Sequence, residues 1–163
     1  MTFLKKTTLA SMAFATVLAS VQAVANPTPH TIQLQAIVPT STFHVLPEGD
    51  WIGFPQVMRY NLITKDLSPV VKQFNVKNTL GAIDAKLVND VQLVAGSNSI
   101  PLTVKFNGVA LTTTAQTVVT APEASPGRLV SLEIIPVKPS TGDYIAGDYA
   151  ASVHLMFDAV VTP

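Results

Sequence analysis

The stretch Thr31-Ile-Gln-Leu-Gln-Ala-Ile-Val-Pro39 decides how the chain folds. Ile32, Leu34, Ala36 and Val38 share one parity, and Gln33 and Gln35 take the other. Side chains of an extended segment alternate faces, so this one has an apolar side and a wet side. Ile37 interrupts the alternation, and a short leader, Asn26-Pro-Thr-Pro-His30, precedes it. A strand on such an arm has two destinations. It is either the first strand of its own sheet or the missing strand of a neighbour's, and the domain is accordingly a finished sandwich or an unfinished one.

Residues 1–25 read as a secretion signal. Lys5 and Lys6 form the positive region, Leu9 to Val21 is apolar, and Ala23-Val24-Ala25 fits the small-x-small cleavage rule, with cleavage placed after Ala25. Ser11, Thr16 and Ser20 interrupt an apolar run too short for a membrane anchor. Removing these 25 of 163 residues leaves 138, a length suited to one domain. Lys5 and Lys6 leave with it, so ten basic residues become eight against ten acidic, a net charge of −2. No charged run points to nucleic acid or an anionic membrane. With 48% apolar residues and 12% charged, the composition builds a core rather than a disordered tail. There is no cysteine, so an exported domain of this kind depends on burial or on a partner.

Downstream, the pattern is one of short strands separated by turn signals. Phe43 to Leu46 reads as a strand closed by Pro47-Glu-Gly-Asp50, Trp51 to Pro55 is ambiguous, and Gln56 to Leu62 reads as a further strand. Val70 to Asn78 alternates with Phe74 and Val76 inward, and Ile83, Ala85 and Leu87 alternate with Asp84 and Lys86. Val91 and Leu93 begin a strand that Gly96-Ser-Asn-Ser99 ends. Ile100, Leu102, Val104 and Phe106 lead into Asn107-Gly108, the positive-φ pair of a two-residue hairpin turn, with Val109 to Thr113 returning. Thr114 to Thr120 either continues that strand or crosses over. Ala121 to Gly127 reads as an exposed loop, Val130, Leu132 and Ile134 as the next inward face, and Tyr149 to Val161 as the longest strand, with its odd positions in the core. Many short strands and no amphipathic helix indicate an all-β sandwich, immunoglobulin-like by default at this size.

Three blocks carry a family resemblance. TIQLQAIVP followed by FHVLPEGD resembles the mature N-terminus of major pilins of class 5, or alpha, fimbriae, the colonisation-factor type. IPLTVKFNGVALTTTAQ resembles their central hairpin, and AGDYAASVHLMFDAV their terminal strand after its Gly-x-Tyr turn. The lack of cysteine also fits this family. The arm departs from it at one point: Val38-Pro39 stands where the family has Val-x-Pro.

The resemblance implies an incomplete immunoglobulin-like sandwich completed by a donor strand from a neighbouring subunit. It implies a signal peptide (1–25), a donor-strand arm (26–39) and a pilin domain (40–163). Ile32, Leu34, Ala36 and Val38 would be the donor side chains, and Val153, Leu155 and Phe157 are candidates for the wall of the acceptor groove. The implied partners are identical pilin subunits in a filament, a periplasmic chaperone, an outer-membrane usher, a tip adhesin subunit and a host surface receptor. The implied location is a cell-surface fimbrium reached through the periplasm. Physically, an open sheet edge above an apolar groove is aggregation-prone. Burying three aliphatics and an alanine, with ladder hydrogen bonds, yields a gross gain on the order of 10 kcal/mol before ordering costs. A donor at one place and an acceptor at another make a heterologous contact, which propagates into a filament.

Two other classes compete. For an enzyme, His30, His44 and His154 are scattered without metal-ligand spacing, and no nucleophile elbow, zinc-protease, phosphate-loop or dinucleotide motif occurs. No catalytic residue, metal site or cofactor is assigned. For a secreted carbohydrate-binding adhesin, Trp51, Phe54 and Tyr60 would form the sugar platform. A tip adhesin needs a receptor domain besides the pilin domain, and this chain has room for one. Length therefore favours a polymerising shaft subunit, with a minor fimbrial subunit as the alternative.

Overall fold

The computed structural model describes residues 40–140 and 142–161. The signal segment and the arm, with Ile32, Leu34, Ala36 and Val38, lie outside the described residues. The described chain forms β1 (Phe43–Pro47), β2 (Tyr60–Asn61), β3 (Asp66–Leu67), β4 (Val70–Asn78), β5 (Ile83–Leu87) and β6 (Gln92–Ala95). There follow β7 (Asn98–Phe106), β8 (Val109–Ala110), β9 (Gln116–Val119), the one-turn helix α1 (Ala121–Ala124), β10 (Arg128–Pro136) and β11 (Leu155–Ala159). Every strand pair is antiparallel.

The larger sheet runs β1-β4-β10-β7-β6, with β8 against the end of β7, and the smaller runs β11-β5-β9. The core lies between them. Phe74, Val76, Val104, Phe106, Val130 and Leu132 come from the larger sheet, and Ile83, Ala85, Leu87, Val118 and Val119 from the smaller. Apart from the adjacent Val118 and Val119, where the β5–β9 register shifts, these are the inward parities of alternating strands, which is why they pack face to face. Two tight turns hold the register of β7. Gly96 (φ 59°) opens the two-residue link from β6, and Asn107 (φ 50°) and Gly108 (φ 80°) supply the positive-φ pair before β8. The Asn107 side-chain amide also donates to Val118 O at 2.7 Å, tying that turn to the opposite sheet.

Four expectations are corrected. Gln56 to Leu62 is not a strand of the sandwich; only Tyr60–Asn61 pairs, with Asp66–Leu67, in a small separate ribbon. The segment after Asn107-Gly108 returns for two residues only, then crosses to the smaller sheet as β9, where it pairs with β5. Ala121 to Gly127 is not wholly an exposed loop, because α1 buries Ala124 completely. Tyr149 to Val161 is not one strand. Ala150 bridges Val94 of β6, while Leu155–Ala159 pairs with β5, so the chain passes from one sheet to the other between them. Its odd positions are not a fully buried face: Tyr149, Val153, Leu155 and Phe157 are half-buried, and Ala151, Ala159 and Val161 are exposed.

Candidate functional site: two open strand edges and an apolar cavity

β11 has β5 on one side and, among the described residues, no strand on the other. The bonds from Val160 N–H to Ala82 O (2.9 Å) and from Val88 N–H to His154 O (3.0 Å) fix which backbone groups face β5. In an antiparallel ladder, hydrogen-bonded pairs recur at every second residue. Even positions of β11 therefore bond β5, and the N–H and C=O of Leu155, Phe157 and Ala159 point outward. Their side chains lie opposite Leu87, Ala85 and Ile83, all buried.

β1 is the matching edge of the larger sheet. Thr79 N–H donates to Thr42 O and Glu48 N–H to Gln73 O, so even positions of β1 bond β4. Phe43, Val45 and Pro47 present their backbone outward. The Thr40 hydroxyl already satisfies Phe43, accepting from its N–H at 3.0 Å and donating to its C=O at 2.6 Å. Val45 keeps an outward N–H and C=O and Pro47 an outward C=O. Phe43 and Val45 are half-buried against the core, as Leu155 and Phe157 are. Asn78 ties the two edges together at one end. It sits opposite Phe43 on β4, and its buried amide donates to Ala82 O (2.7 Å) and Val160 O (3.2 Å).

Behind these edges an aromatic cluster runs through the core. Trp51 meets Phe74 edge-to-face at 5.4 Å, Phe74 meets Phe106 at 5.4 Å, and Phe106 meets Phe157 at 4.8 Å. Beyond it, a cavity of about 920 Å³ is lined by Trp51, Val70, Leu93, Leu102, Ile134 and Val153, among others. Half-buried apolar side chains under outward-facing backbone groups can accept an extended segment by β-strand addition.

Leu155 and Phe157, singled out in sequence, thus lie along one edge, and Val153, two residues before β11, packs against the core cluster as they do. The apolar residues of the facing edge and cavity, Phe43, Val45, Leu93, Leu102 and Ile134, were not assigned to the site. In sequence they read only as members of strands, Ile134 on an inward face. Trp51, Phe54 and Tyr60, the residues of the sugar-platform reading, all border this cavity. The Trp51 ring packs on Phe74 and carries Lys72 Nζ 5.6 Å from its centroid, Phe54 is 67% exposed, and Tyr60 stacks edge-to-face on Tyr144 at 6.1 Å. His44 Nε2 lies 3.2 Å from Asn75 Oδ1, and His154 is exposed. Among the described residues, no three acidic or histidine side chains converge as a metal site would require.

A solved structure of the CooA pilin subunit from enterotoxigenic Escherichia coli is similar to this chain. The TM-score is 0.57 at 19% identity, with 72% of this chain and 86% of that one covered, a likeness of fold. No curated protein matches. The model of the CS1-type fimbrial major subunit family matches residues 28–158, a span that runs from the arm into β11. An all-β sandwich with the pilin fold and that match over most of its length together define the chain: it belongs to the CS1-type fimbrial major subunit family.

Proposed function

We infer that this protein polymerises into the fimbrial shaft by donor-strand exchange, the arm of one copy filling the groove between β1 and β11 of the next. Membership of the family makes it a structural component of a surface fimbria built from pilin subunits. The finer reading is supported chiefly by one observation: the outward backbone groups of Leu155, Phe157 and Ala159 above a half-buried apolar strip. Such an edge is a template for another strand.

In this reading residues 1–25 direct export and are removed, 26–39 are the donor arm and 40–163 the receiving domain. Ile32, Leu34, Ala36 and Val38 enter the groove, while Gln33 and Gln35 face water. A periplasmic chaperone covers the groove before assembly, an outer-membrane usher is where exchange occurs, and a tip adhesin subunit caps the shaft. Host-surface contact is made by the assembled fimbria. No catalysis is involved.

Leu34→Asp tests this. An unpaired carboxylate in an apolar groove is strongly disfavoured, so the variant should be exported normally yet give no fibres by electron microscopy. Normal fibres from it would contradict the assignment of the arm.

A further inference from the structure

We propose that Ala36 of the arm seats against the Phe157 ring of a second copy of this chain, and that this pair sets the register in which the arm is received. The proposal rests on the donor-strand reading above and adds the alignment that the reading leaves open.

β11 presents three core-facing side chains of unequal size, Leu155, Phe157 and Ala159. The Phe157 ring is held from the core side, its centroid 4.8 Å from that of Phe106 and 6.2 Å from that of Phe74. On the paired flank, β5 meets the three with Leu87, Ala85 and Ile83 respectively, all buried. The smallest residue of β5 thus lies opposite the largest of β11, and Ala159 lies opposite Ile83. Setting large against small across facing positions fills a layer without voids or clashes.

The other flank of β11 carries outward N–H and C=O groups and, among the described residues, no strand. A strand added there meets the same three side chains, so the same order of sizes suits it. The arm has that order: Leu34-x-Ala36-x-Val38 repeats the large-Ala-large spacing of Ile83-x-Ala85-x-Leu87. The pattern reads alike in both directions, so Ala36 meets Phe157 whichever way the arm runs.

Other registers fit worse. A slip of one residue turns Gln33 and Gln35 toward the core. A slip of two keeps the face but brings Leu34 or Val38 onto the Phe157 ring, overfilling that place, and moves Ala36 to Leu155 or Ala159.

The chain has no cysteine, so an introduced pair supplies the only thiols. In filaments carrying Ala36→Cys with Phe157→Cys, a short thiol-bridging reagent should link successive subunits into a covalent ladder on a denaturing gel, because directly opposite Cβ atoms lie about 4.5–5.5 Å apart. Ala36→Cys paired with Leu155→Cys or with Ala159→Cys should lose the ladder. A ladder from either of these and not from the first overturns the register and leaves the donor-strand reading standing. A link that closes within single subunits overturns both. Ala36→Leu keeps the apolar face and overfills the site. Its filaments should fail to form or should release subunits on heating at least about tenfold faster, and release at the wild-type rate overturns the proposal. Where the cysteine variants do not assemble, wild-type filaments decide. Solid-state NMR should show contact between the Ala36 methyl and the Phe157 ring, and contact of that ring with Leu34 or Val38 in its place overturns the register.

Discussion

At the scale of single residues, Asn78 does the most with the least. It is fully buried, its amide donates to Ala82 O and Val160 O, and its Oδ1 accepts from Leu80 N–H at 3.1 Å. A polar side chain is tolerated in an apolar interior only when so satisfied. Asn78→Ala strands two carbonyls and one N–H at the point where β4 meets the end of β11. The expected loss is about 1–3 kcal/mol of stability, measured by urea unfolding of a self-complemented monomer against its parent. In sequence Asn78 reads only as the end of the alternating stretch Val70 to Asn78, because alternation marks buried apolar positions and is blind to a buried amide that serves the opposite sheet.

At the scale of elements, the β2–β3 ribbon shows how a minor hairpin is held to the domain. Lys65 Nζ and Lys138 Nζ each lie 2.7 Å from a carboxylate, Asp143 and Asp66 respectively, and Tyr60 stacks on Tyr144. The hydrogen bond that Lys138 donates holds the Asp66 carboxyl below its ordinary 3.8 and raises Lys138 above 10.5, and the one that Lys65 donates to Asp143 raises Lys65 above 10.5. A lowered carboxyl contributes above its ordinary value and is lost as pH falls through the lowered one. A raised ammonium contributes below its ordinary value and is lost as pH rises through the raised one. The contact between Tyr60 and Tyr144 should therefore persist across neutral pH and fade at both extremes, as followed by NMR cross-peaks between the rings. Lys138→Ala should weaken it at neutral pH, and high salt should do so in part because the pairs are exposed. Legibility followed the length of unbroken alternation. β4, β5 and β7 were plain because each keeps one buried face throughout. Tyr149 to Val161 alternates just as well, yet changes sheets between Ala150 and Leu155, because parity records which side is apolar and not which strand lies beside it. α1 was missed because Pro122 reads as a breaker, although proline is welcome in a first helical turn. The overlooked signal was Thr120-x-x-Glu123. The Glu123 carboxylate accepts from the Thr120 N–H and hydroxyl at 3.2 and 2.8 Å and pairs with Arg128.

At the scale of the whole molecule, the strands of the sandwich were legible from turn chemistry and periodicity, and the family from three sequence blocks. The candidate site was only half legible. Parity marked the apolar side of Leu155 and Phe157, but the open edges of β1 and β11 and the cavity beside Trp51 depend on which strands end up as edges, and edge position is a tertiary fact. The donor-strand reading predicts that moving residues 26–39 behind Pro163 through a flexible linker converts a polymer into a stable monomer. Size-exclusion chromatography checks this, and continued polymerisation would count against it. The place of β11 in the order of elements carries one more consequence. Its partner β5 is complete by Leu87, yet the strand that must join it begins only at Leu155 and follows every other described element. A chain delivered N-terminus first into the compartment where it folds can assemble most of the larger sheet while the smaller one still lacks a margin. In the donor-strand reading the receiving half of the joint thus takes shape last, and nothing can be threaded into a subunit until nearly its whole length has been delivered.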